Sequence, residues 1–185
     1  LAQHLRAGER VLGRAAAASA TCPVPVIGVL KGAAAGGALE LASACDWRVA
    51  SPEARFAMPA ATRLGVVYAA EGLARFVALM GPARARLLFL TGAPVDARRA
   101  LELGLVDEVV EEPVALWASA RAAARAVADA APIAVAGTRA VIDALARGDA
   151  PEVARIWRRR AFESRDHCER HAAFAERRPP RFTGS

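Results

Sequence analysis

The stretch from Val26 to Asp46 constrains this chain more than any other. Val26-Ile-Gly-Val-Leu30 is a short apolar run rich in β-branched residues, which reads as a buried strand. Gly32 to Gly37 contains only Gly and Ala. A backbone without side-chain bulk can pass close to a neighbour or a ligand. From Ala38 the pattern becomes helical. A helix start offers unpaired N–H groups and a dipole that favours negative charge. Glu40 lies three residues after Gly37, one turn on along the same face, and is the only charge between Lys31 and Asp46. Between Leu39 and Leu41 its carboxylate is expected to be desolvated, which favours the protonated form and suits a proton donor or acceptor near neutral pH. Backbone donors for a developing oxyanion would then stand beside an acid/base. The competing reading is an ordinary strand-to-helix turn, with Glu40 a first-turn carboxylate stabilised by the helix dipole.

Taken in order, residues 1–19 form a helix with Leu5 and Leu12 on one stripe, broken at Thr21-Cys-Pro-Val-Pro25. Strands are expected at Trp47–Ala50, Ala54–Met58 and Val106–Val110. The helices between them imply a parallel, wound arrangement. Ala60 to Tyr68 reads as an irregular loop. Helices follow at about 70–80 and 82–90, separated by Gly81-Pro82, and at 97–103 with Asp96 as N-cap and Gly104 as stop. From Glu111 the chain turns Ala- and Arg-rich, giving helices at about 114–130, 132–147 and 151–176 and an extended tail. Two parts are expected, residues 1–110 as an α/β core and residues 111–185 as a helical region. The chain opens in mid-helix with neither an initiator Met nor a signal pattern, so it reads as the later part of a longer domain.

With 185 residues and 55% hydrophobic composition, the chain can bury a sizeable core. The net charge of +6 rests almost wholly on Arg, since Lys31 is the single Lys. These Arg residues are spread over helices without interleaved aromatics, which gives nucleic-acid binding little support. Some can meet the phosphates of an anionic substrate. Charged residues interrupt every apolar run short of a membrane span. Cys22, Cys45 and Cys168 show no paired or metal-binding spacing, which suits a reducing cytoplasm. His167 and His171 share a helix face, yet no HExxH pattern accompanies them or His4, and no metal is implied. Ser43 and Ser51 lack local His/Asp partners. Asp46 is expected to pair with backbone or Arg where the Trp47 strand begins.

Several segments occur in a specific order: Pro25-Val-Ile27, Gly32 to Leu41, Cys45-Asp-Trp-Arg-Val-Ala-Ser51, Phe89-Leu-Thr-Gly92, Asp96 to Asp107, and Phe174 to Gly184. In that order they resemble the second half of a crotonase (enoyl-CoA hydratase/isomerase) domain. The resemblance implies a spiral of ββα turns, here its later part, followed by a helical region that packs against neighbouring subunits in trimers or hexamers. It implies an acyl-CoA thioester substrate, with coenzyme A as part of that substrate and no other cofactor. Gly37 falls on one oxyanion N–H donor, the second donor belonging to a preceding part of the domain. Gly36, Gly65 and Tyr68 join it as oxyanion or substrate-binding candidates. Glu40 falls on one of the two glutamates used by family hydratases.

The second glutamate follows Phe-x-x-Pro in those relatives. Here Phe56-Ala-Met-Pro59 is followed by Ala60 and Ala61, and the loop to Gly65 is one residue longer. Alanine cannot carry a proton. Glu71, near the start of the next helix, is a substitute acid/base by this reading, or else a solvent-facing first-turn Glu. Isomerase, hydrolase and decarboxylase variants on the same enolate scaffold stay open. So does a non-catalytic homologue that binds acyl-CoA or RNA.

Overall fold

The computed structural model describes residues 2–112 and 114–185, with side chains from Arg10 onward apart from residue 113. His4 and Leu5 therefore lie outside the described side chains. Contacts divide the chain into two compact units, Leu1–Arg121 and Ala122–Ser185.

The first unit opens with α1 (Ala2–Ala20), which packs on α2 (Gly37–Ser43). Two small sheets form beside them. In one, β1 (Ile27–Leu30), β3 (Trp47–Ala50) and β6 (Glu108–Val109) run parallel in the order β1-β3-β6, with Ile27 opposite Trp47 and Val49 opposite Glu108. In the other, β2 (Ala33–Ala35) lies parallel to β4 (Arg55–Ala57), which takes β5 (Val95–Asp96) antiparallel on its far side. The sequence reading missed β2 and β5. Three alanines carry no strand signal, but their lack of bulk lets that backbone pair closely with β4. The two-residue β5 exists only through its ladder with Arg55 and Phe56.

The strand ends are tied by carboxylates. Asp46 Oδ2 accepts the Val26 N–H at 2.7 Å, and Asp107 Oδ2 accepts the Arg48 N–H at 2.7 Å. Arg48, buried in β3, also places Nη2 2.7 Å from Asp107 Oδ2 and donates from Nη1 to the Cys45 carbonyl. Phe56, Met58, Phe76 and Leu105 fill the core. Each fully buried side chain of this kind contributes about 1.5–3 kcal/mol.

Residues Ala60–Leu64, expected as irregular loop, form a five-residue π-turn closed by Gly65 at φ 63°. One extra residue widens a helical turn in this way. The long α3 (Ala70–Thr91) is broken at Gly81, whose φ of 76° and ψ of 163° are non-helical, just before Pro82. The short α4 (Ala97–Leu103) begins on Asp96, whose side chain accepts from the Arg99 N–H, and stops at Gly104. The chain then enters α5 (Leu116–Ala128).

The second unit contains α6 (Pro132–Arg147), α7 (Ala150–Phe162) and α8 (Arg165–Ala175). α6 lies on α7, where Gly137 leaves room for the Trp157 ring. The single helix expected over 151–176 is divided at Ser164. That hydroxyl accepts the His167 N–H at 3.2 Å and caps a new helix. The tail folds back onto α8. Asp166 accepts the N–H groups of Thr183 and Gly184 at 2.7 and 2.9 Å, and Glu169 takes Arg178 in two hydrogen bonds of 2.5 and 3.0 Å.

Candidate functional site

The glycine-rich turn delivers α2 in one defined orientation. Gly36 sits at φ 56° and ψ −119°, a conformation that excludes a side chain without strain. Its N–H goes to the Ala57 carbonyl at 3.0 Å, and its carbonyl accepts the Glu40 N–H at 2.9 Å, the first bond of the helix. The N–H groups of Gly37, Ala38 and Leu39 therefore have no acceptor within the helix. A Cβ on Gly37 would press on Leu12 Cδ1 of α1, so any larger residue here would make that side chain shift.

Glu40, one turn later, is only 5% exposed. Its surroundings differ from the apolar ones expected. Oε1 receives Arg75 Nη2 at 2.9 Å, and Oε2 accepts the Tyr68 hydroxyl at 2.6 Å. Both partners come from beyond the π-turn, Tyr68 just before α3 and Arg75 in its second turn. Ion pairing and a charge-assisted hydrogen bond hold the carboxylate, where hydrophobic flanks alone were anticipated. The Leu39 and Leu41 signal was local, whereas Arg75 lies 35 residues away.

Glu40, Tyr68, Glu71 and Arg75 line one cavity of about 530 Å³. α1 supplies Arg10, Gly13, Arg14 and Ala17 to its wall. The small residues leave space, and the guanidinium groups offset the two carboxylates. Glu71 stands in the first turn of α3 and is exposed.

Among the described residues, the lining does not include Gly36, Gly37 or Gly65. Gly65 spends its N–H on the Ala60 carbonyl, closing the π-turn. The structure thus brings Glu40, Glu71 and Tyr68 together and keeps Gly37 one helical turn from them. Gly65 serves the loop.

Arg75 is the site residue that sequence reasoning missed. Its one local signal, four residues after Glu71 on a helix, suggests a pair with Glu71; the guanidinium reaches Glu40 instead.

Other candidates are placed elsewhere. Ser43 Oγ donates to the Glu40 carbonyl at 2.7 Å, a helix-internal bond. His167 and His171 place their Nε2 atoms 3.3 Å apart, and among the described residues no group of three or more His, Cys, Asp or Glu could hold a metal. Burial pushes the Cys45 thiol up from its ordinary pKa, and its Sγ donates to the Leu41 carbonyl. Among the described residues no helix is long and apolar enough to cross a membrane.

A wound α/β unit with a glycine-turn helix and a buried glutamate defines a class of protein, and comparison with known proteins specifies it. The family model described as "Enoyl-CoA hydratase/isomerase" matches residues 12–185. This chain belongs to that family, the crotonase superfamily. It is 38% identical over 174 residues to "Enoyl-CoA hydratase domain-containing protein 2, mitochondrial" from Bos taurus, covering 89% of this chain and 57% of the relative. Over 167 residues it is 36% identical to "Carnitinyl-CoA dehydratase" from Citrobacter koseri, covering 86% and 63%. The crystal structure of enoyl-CoA hydratase from Bacillus anthracis superposes with a TM-score of 0.92 at 29% identity, over 99% of this chain and 71% of that one. An enoyl-CoA hydratase/carnithine racemase from Magnetospirillum magneticum gives 0.88 at 34% identity, over 100% and 69%. The chain therefore spans about 57–63% of the length of these curated relatives.

Proposed function

We propose that this chain is the later part of an acyl-CoA-processing enzyme of the enoyl-CoA hydratase/isomerase type. The observation that carries this reading is Glu40, buried one turn behind a Gly37 N–H that has no acceptor within α2, with its carboxylate facing a cavity of about 530 Å³. The thioester carbonyl would accept a hydrogen bond from Gly37 N–H, assisted by the α2 dipole, as negative charge moves onto it. A second donor would come from a segment preceding this chain. Glu40 would move the proton.

Water adds to C3 of a 2-enoyl thioester and a proton to C2, and the same groups serve dehydration in reverse. Coenzyme A enters as part of the substrate, with no further cofactor in this reading. Arg10 and Arg14 give the cavity wall a cationic side suited to an anionic ligand. Subunits would assemble as trimers or hexamers. Three free thiols fit a reducing compartment, which we take as the cytoplasm.

The test uses the complete protein, as wild type and Glu40→Gln, with short- and medium-chain 2-enoyl-CoA. Wild type should remove the conjugated-thioester absorbance and the variant should fall by about 100-fold or more. Acyl-CoA binding without turnover in either protein would favour a second reading, a binding homologue, which Ala60 and Ala61 in place of the second glutamate support.

A further inference from the structure

The resemblance calls for a second proton-carrying side chain after Pro59, and Ala60 and Ala61 supply none. The structure places another hydroxylic group against Glu40. Tyr68 donates to Glu40 Oε2 at 2.6 Å, and three features fix it there. The Phe89 ring meets the Tyr68 ring edge-on, with centroids 5.5 Å apart. Phe76 in turn packs edge-on against Phe89, at 5.0 Å. Gly72 lies under the ring, where an added Cβ would come within 2.7 Å of Tyr68 Cε1. The phenol is therefore held by a glycine, an aromatic pair and a carboxylate.

The other carboxylate oxygen is taken by Arg75. Among the described residues, the remaining charged groups on the cavity wall are Arg10 and Arg14 from α1 and Glu71 from α3.

We propose that Tyr68 and Glu40 form a two-site proton carrier, with Arg75 as the positioning residue that orients the Glu40 carboxylate. This rests on the acyl-CoA reading above. In hydration, Glu40 takes a proton from water as the water oxygen bonds to C3. The C2–C3 π electrons move toward the thioester oxygen as an enolate. C2 of the enolate then takes the Tyr68 hydroxyl proton. The phenolate recovers a proton from Glu40 across their hydrogen bond. One water is added, and both side chains return to their starting states. Glu71 is exposed on the cavity wall and is not part of the carrier.

The experiment uses the complete protein as wild type, Tyr68→Phe, Glu71→Gln, Arg75→Gln and Arg75→Lys. Three quantities are read: 2-enoyl-CoA hydration, deuterium exchange into C2 of a saturated acyl-CoA in heavy water, and acyl-CoA binding. Tyr68→Phe preserves the ring and should still bind acyl-CoA while losing about 100-fold or more in hydration and in exchange. Glu71→Gln should lose less than Tyr68→Phe. Arg75→Gln should lower kcat with KM nearly held, and Arg75→Lys should restore part of kcat. That rescue would not follow from a purely structural role. Wild-type rates in Tyr68→Phe, or a larger loss in Glu71→Gln, overturn the carrier and leave the acyl-CoA reading intact. A wild type that neither binds nor turns over any thioester overturns both.

Discussion

Arg48 and Asp107, 59 residues apart, bind each other three times: the Asp107 carboxylate receives both the backbone N–H and the guanidinium of Arg48, each at 2.7 Å, and the Asp107 N–H donates to the Arg48 carbonyl at 2.9 Å. Arg48 is 3% exposed and Asp107 is 42% exposed, so the cost of burying the cation falls on one side. The pair ties the middle strand of the β1-β3-β6 sheet to its last strand. Removing the acid leaves a buried guanidinium unmatched. Because the carboxylate is partly exposed and Arg48 keeps its bond to the Cys45 carbonyl, Asp107→Ala should lower unfolding stability by about 1–3 kcal/mol, read from denaturant titration. A change under about 1 kcal/mol would mean that water replaces the carboxylate.

Gly36→Ala tests the turn before α2. A Cβ there meets nothing within 4 Å, so crowding contributes nothing, and the cost lies in φ 56° and ψ −119°. Thermal or denaturant unfolding should show a loss of about 1–3 kcal/mol. Turnover should fall further than the stability loss alone explains, because Gly36 sets the direction of the Gly37 N–H. Unchanged stability would show that the turn relaxes into another conformation.

Glu169 makes unfolding of the C-terminal unit sensitive to acid. Hydrogen bonds from the Arg178 guanidinium and the Arg181 N–H hold its carboxyl down at about 2, against an ordinary value of 4.5. A carboxyl lowered by folding stabilises the fold above its unfolded value, and the contribution fades as pH falls from about 4.5 toward about 2. Wild type should exceed Glu169→Gln in stability at neutral pH, and the difference should shrink toward about pH 2 and vanish only below it. A difference independent of pH would separate the tail's attachment from this ionisation.

Thiol chemistry should follow exposure. Cys168 is exposed, whereas Cys45 is half-buried, with burial raising its pKa and its Sγ donating to Leu41. Only the thiolate reacts. Timed alkylation followed by peptide mass analysis should show Cys168 modified first and Cys45 well behind it. Equal rates would indicate that α2 opens locally on that timescale.

Particular residues show how far the sequence could be read. The β-branched run ending at Leu30 and the Trp47–Ala50 run announced β1 and β3 by their β-forming residues, although β1 is only half-buried and β3 carries Arg48. β2 is three alanines and β5 two residues, so nothing local distinguishes them from loop. Ser164 is an N-cap, yet it sits inside a run whose helical pattern continues on both sides, and the break went unseen. Glu40 was legible as the only charge in its stretch. Its partners were not, because Tyr68 and Arg75 meet it only after the chain has passed through β3, β4 and the π-turn. For Arg75, helical spacing pointed to Glu71, a nearer carboxylate in sequence than the one it binds.

The π-turn at Ala60–Leu64 also acts as slack in the chain. By wrapping one surplus residue into a wider turn, it leaves the residues on either side in their places. Met58 keeps its seat in the core before it, and Tyr68 its hydrogen bond after it. Side chains on this segment can therefore be exchanged while β4 before it and α3 after it stay where they are. The segment's sequence is constrained by the length it must span more than by what it must pack against.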